Sequence, residues 1–362
     1  MTEKATLAES EATFEQEDSE QPIPPADIVA YNELRSCADL FRMHASGKLE
    51  IQPDFQRDVV WKQDDQSRFI DSLVKQLPIP SMCFSLDYKT QRWKVIDGLQ
   101  RMSSIIRFLS TAEWKLSDLS DIHPKLRNTK NSDLRNGTDE QNRLFALVED
   151  VSIPVTVIRC DYTQRSHMLY LFTIFHRLNS GGVRLTNQEI RNCIYTGSFN
   201  DLLKDFDASN ADWKAIKKRI WGSMDRFRSV EVILRVLAFA DERQTYDGNL
   251  ARFLNDYMHR HSNEAPDAIT AIAARLKEVA KRAHEALSVE PQKKLPLLLI
   301  EALLVAMYTQ GNGLSTMTSE SVAQAYTAMR AHPSFVESAR YAVTSSDNVR
   351  NRLNAAVAAF SE

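Results

Sequence analysis

The stretch Val95-Ile96-Asp97-Gly98-Leu99-Gln100-Arg101-Met102 brings an acid, a glycine, an amide and a guanidinium together within five positions. It stands where an apolar, β-branched run stops and helical spacing begins. A glycine at such a junction lets backbone amides approach a ligand closely. The first turn of the following helix has free N–H groups and carries the positive end of the helix dipole. Together these suit a phosphate. Arg101 adds a fork of donors matched to phosphate oxygens. Gln100 offers an amide to a ribose, a base or a metal-bound water. Taken alone, the stretch also reads as a plain turn, with Asp97 capping the helix and Arg101 solvated or paired with an acid.

Two further arginine-bearing polar stretches flank well-patterned core elements. One is Ile51-Gln-Pro-Asp54-Phe-Gln56-Arg57. The other is Phe175-His-Arg-Leu-Asn179-Ser180-Gly181-Gly182-Val-Arg184-Leu-Thr186, whose Asn-Ser-Gly-Gly core is soft enough to fold onto a ligand. No P-loop motif is present, so a phosphate site must be built from another constellation. Basic residues Arg177, Arg184 and Arg191 cluster around the third stretch, where they could serve a nucleotide or a nucleic-acid backbone.

The elements that must hold these stretches are legible as a mixed α+β half followed by a helical half. Tyr31–Gly47 reads as a helix with Leu34, Ala38 and Phe41 on one side and Gly47 as its stop. Asp64–Leu77 reads as an amphipathic helix with Phe69, Ile70, Leu73, Val74 and Leu77 on one face, capped by Asp64 or Asp65. Ser81–Leu86 and Arg92–Ile96 read as strands joined by a turn, and Val151–Cys160 as another strand. Met102, Ile105, Ile106 and Leu109 keep helical spacing directly after the glycine. Met168, Leu171, Phe172 and Phe175 form an apolar stripe on a later helix. Thr186 and Glu189 make a capping box for a short helix, and Glu189 is read as that cap rather than as a catalytic acid. Beyond residue 200 no convincing strand remains, and segments near 212–222, 229–243, 249–261, 265–287, 294–309, 318–330 and 346–360 carry helical spacing. The expected organisation is an acidic disordered tail over 1–25, a mixed domain over 26–200 and an α-helical domain over 201–362.

The chain of 362 residues is long enough for two domains with real cores. Its net charge of −3 hides an asymmetry: residues 1–25 carry seven acids and one base, which leaves +3 on the remainder. That balance permits contact with phosphates without demanding it. The four cysteines are scattered with no Cys-x-x-Cys pair, which argues against a disulfide framework or a zinc site and fits a cytoplasmic protein. No signal peptide is read at the N-terminus. The most apolar run, Leu295–Gln310, is broken by Glu301 and too short for a bilayer, so a buried helix is expected and no membrane partner. Trp61 and Trp93 read as core or pocket walls. Glu231 and Arg235 read as a structural i, i+4 pair. Arg226 and Arg228 read as a solvated loop, with DNA or a partner as the alternative.

The ordered series PDFQR…W, SLVKQLPIP, VIDGLQR and LNSGGVRLTNQEIR resembles the N-terminal domain of GmrSD-type restriction endonucleases, itself similar to the ParB/sulfiredoxin fold. The resemblance covers about residues 30 to 200. It implies nucleotide handling. Asp97, Gly98, Gln100 and Arg101 would hold the phosphates, with Asp97, Gln100 and Arg101 as the candidate catalytic set. Gln56 and Arg57 would reach the same pocket. Asn179 would sit near a triphosphate or its Mg²⁺, helped by Ser180, Gly181 and Arg184. The implied cofactors are an NTP and Mg²⁺, and the implied partners are DNA, a partner nuclease or modification protein, and a second copy of the chain. The family motif usually reads DGQQR; Leu99 replaces the first glutamine here, which puts hydrolysis in doubt if that side chain orients water or metal, and costs nothing if it faces the core. A C-terminal HNH-type nuclease, common in such proteins, is not read. His123 lies in a polar insertion, and His259 and His261 fall on different faces of a solvated helix end.

Three functions follow from this reading. The first is an NTP-binding, NTPase-type regulator of a bacterial defence system, acting on or with DNA, in which the nucleotide orders the 179–182 segment as a switch. The second is a DNA-nicking endonuclease dependent on Asp97 or Asp54, against which the lack of a metal-ligand cluster speaks. The third is a non-catalytic docking module with a decayed site.

Overall fold

The structure is a computed structural model and describes residues 25–51, 61–178, 185–221, 227–288, 294–340 and 342–361. The chain divides into two compact units at Arg184/Leu185. The first is α+β. It contains β1 (Val29–Ser36), α1 (Cys37–Ala45), β2 (Leu49–Glu50), α2 (Gln63–Val74), β3 (Met82–Asp87), β4 (Trp93–Asp97), α3 (Leu99–Leu109), α4 (Asn131–Asn136), α5 (Asp139–Asp150), β5 (Ser152–Cys160) and α6 (Arg165–Leu178).

The five strands form one mixed sheet in the order β1-β5-β3-β4-β2. β1 pairs antiparallel with β5, β5 parallel with β3, β3 antiparallel with β4 and β4 parallel with β2. Alternation sends Met82, Phe84 and Leu86, Trp93 and Val95, and Ile153, Val155 and Val157 into one core. There they meet the buried stripes of α1, α2, α3 and α5, such as Leu40, Ile70, Ile105 and Phe145. Trp93 is thus a core residue, and Trp61 packs against the same core with its ring edge-on to Phe69 at 5.7 Å.

Helix α6 packs against β4, with Met168, Leu171, Phe172 and Phe175 all buried as their spacing predicts. Its first turn is held by the fully buried His167. Nδ1 of His167 accepts from the Asp161 amide at 2.9 Å, so Nε2 carries the proton toward Asp27 Oδ1, also at 2.9 Å.

The sequence reading needs correction in three places within this unit. Residues 31–36 form a strand rather than the first turns of a helix, because all eight residues of β1 pair with β5. Leu34, placed on the apolar side of that expected helix, is 70% exposed. Ser36 then caps α1 by accepting from the Asp39 amide at 3.1 Å. Leu77 lies beyond the end of α2 and is exposed. The polar insertion around residues 110–150 contains α4 and α5, which the sequence reading passed over. Asn131 holds that region in place: its Nδ2 lies 3.1–3.2 Å from the carbonyls of Phe108, Ser110 and Ala112, and its Oδ1 accepts from the Trp114 amide at 2.9 Å.

The second unit is helical in its described residues: α7 (Asn187–Ile194), α8 (Ser198–Ser209), α9 (Ala211–Trp221), α10 (Arg228–Glu242), α11 (Leu250–His261), α12 (Pro266–Leu287), α13 (Leu297–Thr309), α14 (Gly313–Thr316), α15 (Ser319–Ala331), α16 (Pro333–Ser338) and α17 (Ser346–Ser361). All seven segments expected to be helical contain helices, and α8, α14 and α16 were overlooked. The apolar run ending at Thr309 is α13, buried on every side as expected. No described helix is long and apolar enough to cross a membrane.

A chain of buried ions runs through this unit. Arg191 on α7 meets Glu231 on α10 at 3.0 Å, and Glu231 meets Arg235 at 2.6 Å. Arg235 reaches Glu301 on α13 at 3.3 Å, and Arg352 on α17 stands 4.0 Å from the other Glu301 oxygen. Burial works to raise the Glu231 pKa, but Arg235 and Arg191 outweigh it and hold the carboxyl below its ordinary value. Removing one member leaves a buried charge uncompensated. Glu301→Ala is therefore expected to destabilise the helical unit by about 3–5 kcal/mol, read from urea unfolding followed by circular dichroism. Since the folded Glu231 pKa is depressed, its contribution is present above the unfolded value of about 4.3 and is lost as pH falls further. Acid titration should therefore melt wild type below that range.

Candidate functional site

Strand β4 ends at Asp97 and α3 begins at Leu99, so Gly98 alone makes the turn between them. Gly98 is the helix N-cap, with φ +96°, and no side chain caps the helix. A Cβ at this position would lie 2.5 Å from Cγ of Met82 on β3. Both the left-handed backbone and the neighbouring strand therefore require glycine here.

Asp97, the expected cap, is turned instead to Arg101: Nη2 of Arg101 lies 2.8 Å from Asp97 Oδ2. Nη1 of Arg101 donates to the carbonyl of Pro80 and, at 3.3 Å, to that of Ser81. The guanidinium thus ties the start of α3 to the segment that enters β3, and its side chain is only 13% exposed. The polar row continues across the sheet. Ser81 Oγ lies 3.2 Å from Thr156 Oγ1 on β5, and Thr156 Oγ1 donates to Asn32 Oδ1 on β1 at 2.8 Å. Ser81, Thr156 and Asn32 were not singled out in the sequence. The available signal was Thr156, a polar residue between Val155 and Val157 in the middle of a strand.

Gln100 Oε1 is buried and has no hydrogen-bond partner among the described residues. A buried acceptor without a donor costs roughly 1–3 kcal/mol unless something else supplies the bond. Leu99 packs against the main core of the unit.

Four of the expected site residues, Asp97, Gly98, Gln100 and Arg101, are brought together at this one strand-to-helix junction. Gln56, Arg57, Asn179, Ser180, Gly181 and Arg184, as well as Asp54 and Arg226, lie outside the described residues.

Several neighbouring readings are settled. Glu189 is the cap of α7: its carboxylate accepts from the Thr186 amide at 2.6 Å. Arg191, read as serving a nucleotide or a nucleic-acid backbone, is 1% exposed and belongs to the buried ion chain. His259 and His261 do have different neighbours, as i, i+2 positions must, but they are packed rather than solvated. His259 stands edge-on to Tyr195 at 6.4 Å, and His261 lies 4.2 Å from the Tyr257 ring and 2.6 Å from Glu264. Among the described residues no group of three or more His, Cys, Asp or Glu is placed to hold a metal ion.

The first unit therefore defines an α+β domain whose polar centre is a glycine-hinged helix start stitched to a mixed sheet. Residues 37–196 match the family model of the GmrSD restriction endonuclease, N-terminal domain. No curated protein and no solved structure matches the chain.

Gly98→Ala is expected to destabilise the first unit by about 1–3 kcal/mol, from backbone strain and the approach to Met82. Chemical denaturation of Gly98→Ala, Met82→Ala and the double variant should give a double-variant cost below the sum of the singles, because removing Met82 relieves only the contact.

Proposed function

We propose that this chain is a nucleoside-triphosphate-binding regulator, with the nucleotide seated on the first turn of α3 and Mg²⁺ accompanying it. The match of residues 37–196 to the GmrSD N-terminal domain supports a role as a component of a restriction-type defence system. In this reading the first unit is of the ParB/sulfiredoxin kind, and the nucleotide state governs how the protein acts on or with DNA, or with a partner nuclease or modification protein.

The observation that carries the proposal is the combination at α3 of an uncapped N-terminus with a buried, unpartnered Gln100 Oε1. The free amides and the dipole favour a phosphate. The amide oxygen favours a donor, such as a ribose hydroxyl, a base amine or a metal-bound water. Asp97, 37% exposed, is the carboxylate present to meet a divalent cation. Arg101 keeps the hinge in shape through Asp97 and the Pro80 and Ser81 carbonyls, and its remaining N–H groups are donors for phosphate oxygens. Arg57, Gln56, Asn179, Ser180, Gly181 and Arg184 are proposed to complete the pocket. Leu99 packs on the core, so its presence leaves this anion site intact.

Calorimetric titration with ATP, GTP, CTP and UTP, with and without Mg²⁺, tests the reading. At least one nucleotide should bind saturably. Gln100→Ala should weaken it by about tenfold or more while melting like wild type, since the lost group makes no bond in the fold. Arg101→Ala should abolish binding. Absence of binding to all four nucleotides, or unchanged affinity in both variants, would overturn the proposal.

A further inference from the structure

The polar row beside α3 is placed by the register of the sheet. Asp97 on β4 pairs with Cys83 on β3, Cys83 with Thr156 on β5, and Thr156 with Asn32 on β1. Paired residues on neighbouring strands share a face, and side chains alternate along each strand. The main core takes Met82 and Phe84 from β3 and Val155 and Val157 from β5, so this row stands on the opposite face. Strands lie about 4.8 Å apart, which sets Asn32 about 14 Å from Asp97 across the sheet.

Hydrogen bonding runs along the row in one direction. Thr156 has a single hydroxyl proton and donates it to Asn32 Oδ1 at 2.8 Å. In the 3.2 Å contact between the two hydroxyls, Ser81 is therefore the donor. Arg101 Nη1 donates to the Ser81 carbonyl at 3.3 Å, so the row is anchored to the start of α3. The consequence falls on Asn32. Its oxygen is held by Thr156, which turns Nδ2 outward, and among the described residues Nδ2 makes no hydrogen bond. Asn32 is exposed, and Leu34, two positions along the same face, is 70% exposed. An oriented donor beside a bare apolar side chain suits a flat heterocycle, which has an edge to bond and a face to cover.

We infer that the Ser81–Thr156–Asn32 row seats the nucleoside half of the ligand whose phosphates lie at α3, and that Asn32 reads a carbonyl on the edge of its base. The inference rests on the nucleotide reading above and deepens it. With phosphates on the first turn of α3, the nucleoside runs along the β3–β5–β1 row, the direction in which the polar groups continue. Nδ2 offers only hydrogens, so it meets O6 of guanine or a ring carbonyl of cytosine or uracil. Adenine has no carbonyl, and its exocyclic amino group would set donor against donor. Thr156 is a positioning residue that fixes which end of the amide faces out. The site thus favours a nucleotide with an oxo base over ATP.

Calorimetric titration of the full chain with ATP, GTP, CTP and UTP, and with inorganic tripolyphosphate as a probe without a nucleoside, tests it. At least one oxo-base nucleotide should bind about tenfold or more tighter than ATP. Asn32→Ala should bring that ratio to within about twofold. Asn32→Asp, which puts an acceptor where the donor stood, should turn the ratio toward ATP. Thr156→Val should lose the ratio and Thr156→Ser, which restores the hydroxyl, should recover it; a merely structural Thr156 would change melting without moving the ratio. Asn32 is exposed, so its variants should melt like wild type. ATP bound as tightly as the other three, or a ratio unmoved by both Asn32 variants, would overturn the inference and leave the nucleotide reading in place. Tripolyphosphate bound as tightly as every nucleotide would do the same. Binding of neither nucleotide nor tripolyphosphate would overturn both.

Discussion

The first unit depends on one backbone geometry, the left-handed turn at Gly98. A helix that begins one residue after a central strand must reverse direction within a single residue. Only glycine enters that conformation without steric cost, and only glycine fits beside Met82. The consequence is electrostatic. With glycine as N-cap, the helix has no side chain to satisfy its first amides. The one acid in reach, Asp97, is drawn away by Arg101. A position that usually neutralises the helix dipole is thereby left open, and the arginine that keeps it open also holds the β3 entry in register with α3.

The second unit solves the opposite problem. Its ion chain from Arg191 to Arg352 is buried at both ends and at Glu301, with Glu231 and Arg235 partly exposed, and its members pair with one another. Buried ion pairs contribute little net stability compared with apolar replacements, yet they penalise every arrangement in which a partner is missing. In a bundle where α13 is apolar on nearly all sides, Glu301 gives that helix a preferred rotation and depth that leucines alone do not supply. Arginine thus plays three parts in this chain: a hinge tie at Arg101, a core register key at Arg191 and Arg235, and an aromatic cover where Arg107 lies 5.0 Å over Trp114.

How much of this was legible in the sequence follows from the range of the forces involved. Local signals survived well. The Thr186–Glu189 capping box, the α6 stripe, the β3–β4 hairpin and the apolar α13 are all set by neighbours within a few positions. The failures are non-local. Leu34 and its neighbours carry a helical pattern that β5, more than a hundred residues away, overrides by pairing. In the insertion, α5 carried a weak signal because it turns only Leu144, Phe145 and Val148 inward, and the other buried residues, Trp114, Leu116, Ile122, Leu126 and Leu134, are spaced too irregularly to mark an element. At the site, the motif itself announced Asp97, Gly98, Gln100 and Arg101. It could not announce that Asp97 would choose Arg101 over the helix amides, because that choice depends on the Pro80 and Ser81 carbonyls arriving from another strand. Arg191 shows the same limit: its place in sequence suggested a phosphate ligand, and its partner Glu231 lies forty residues away.

The overall charge of −3 disfavours a polyanion at long range, and the acidic residues of the first 25 positions account for that sign. What attracts phosphate must therefore be local, and within a Debye length of about 8 Å at physiological salt only nearby groups count. The α3 start offers oriented amides beside the partly buried Asp97–Arg101 pair, and in such a setting a few fixed donors outweigh an unfavourable net charge.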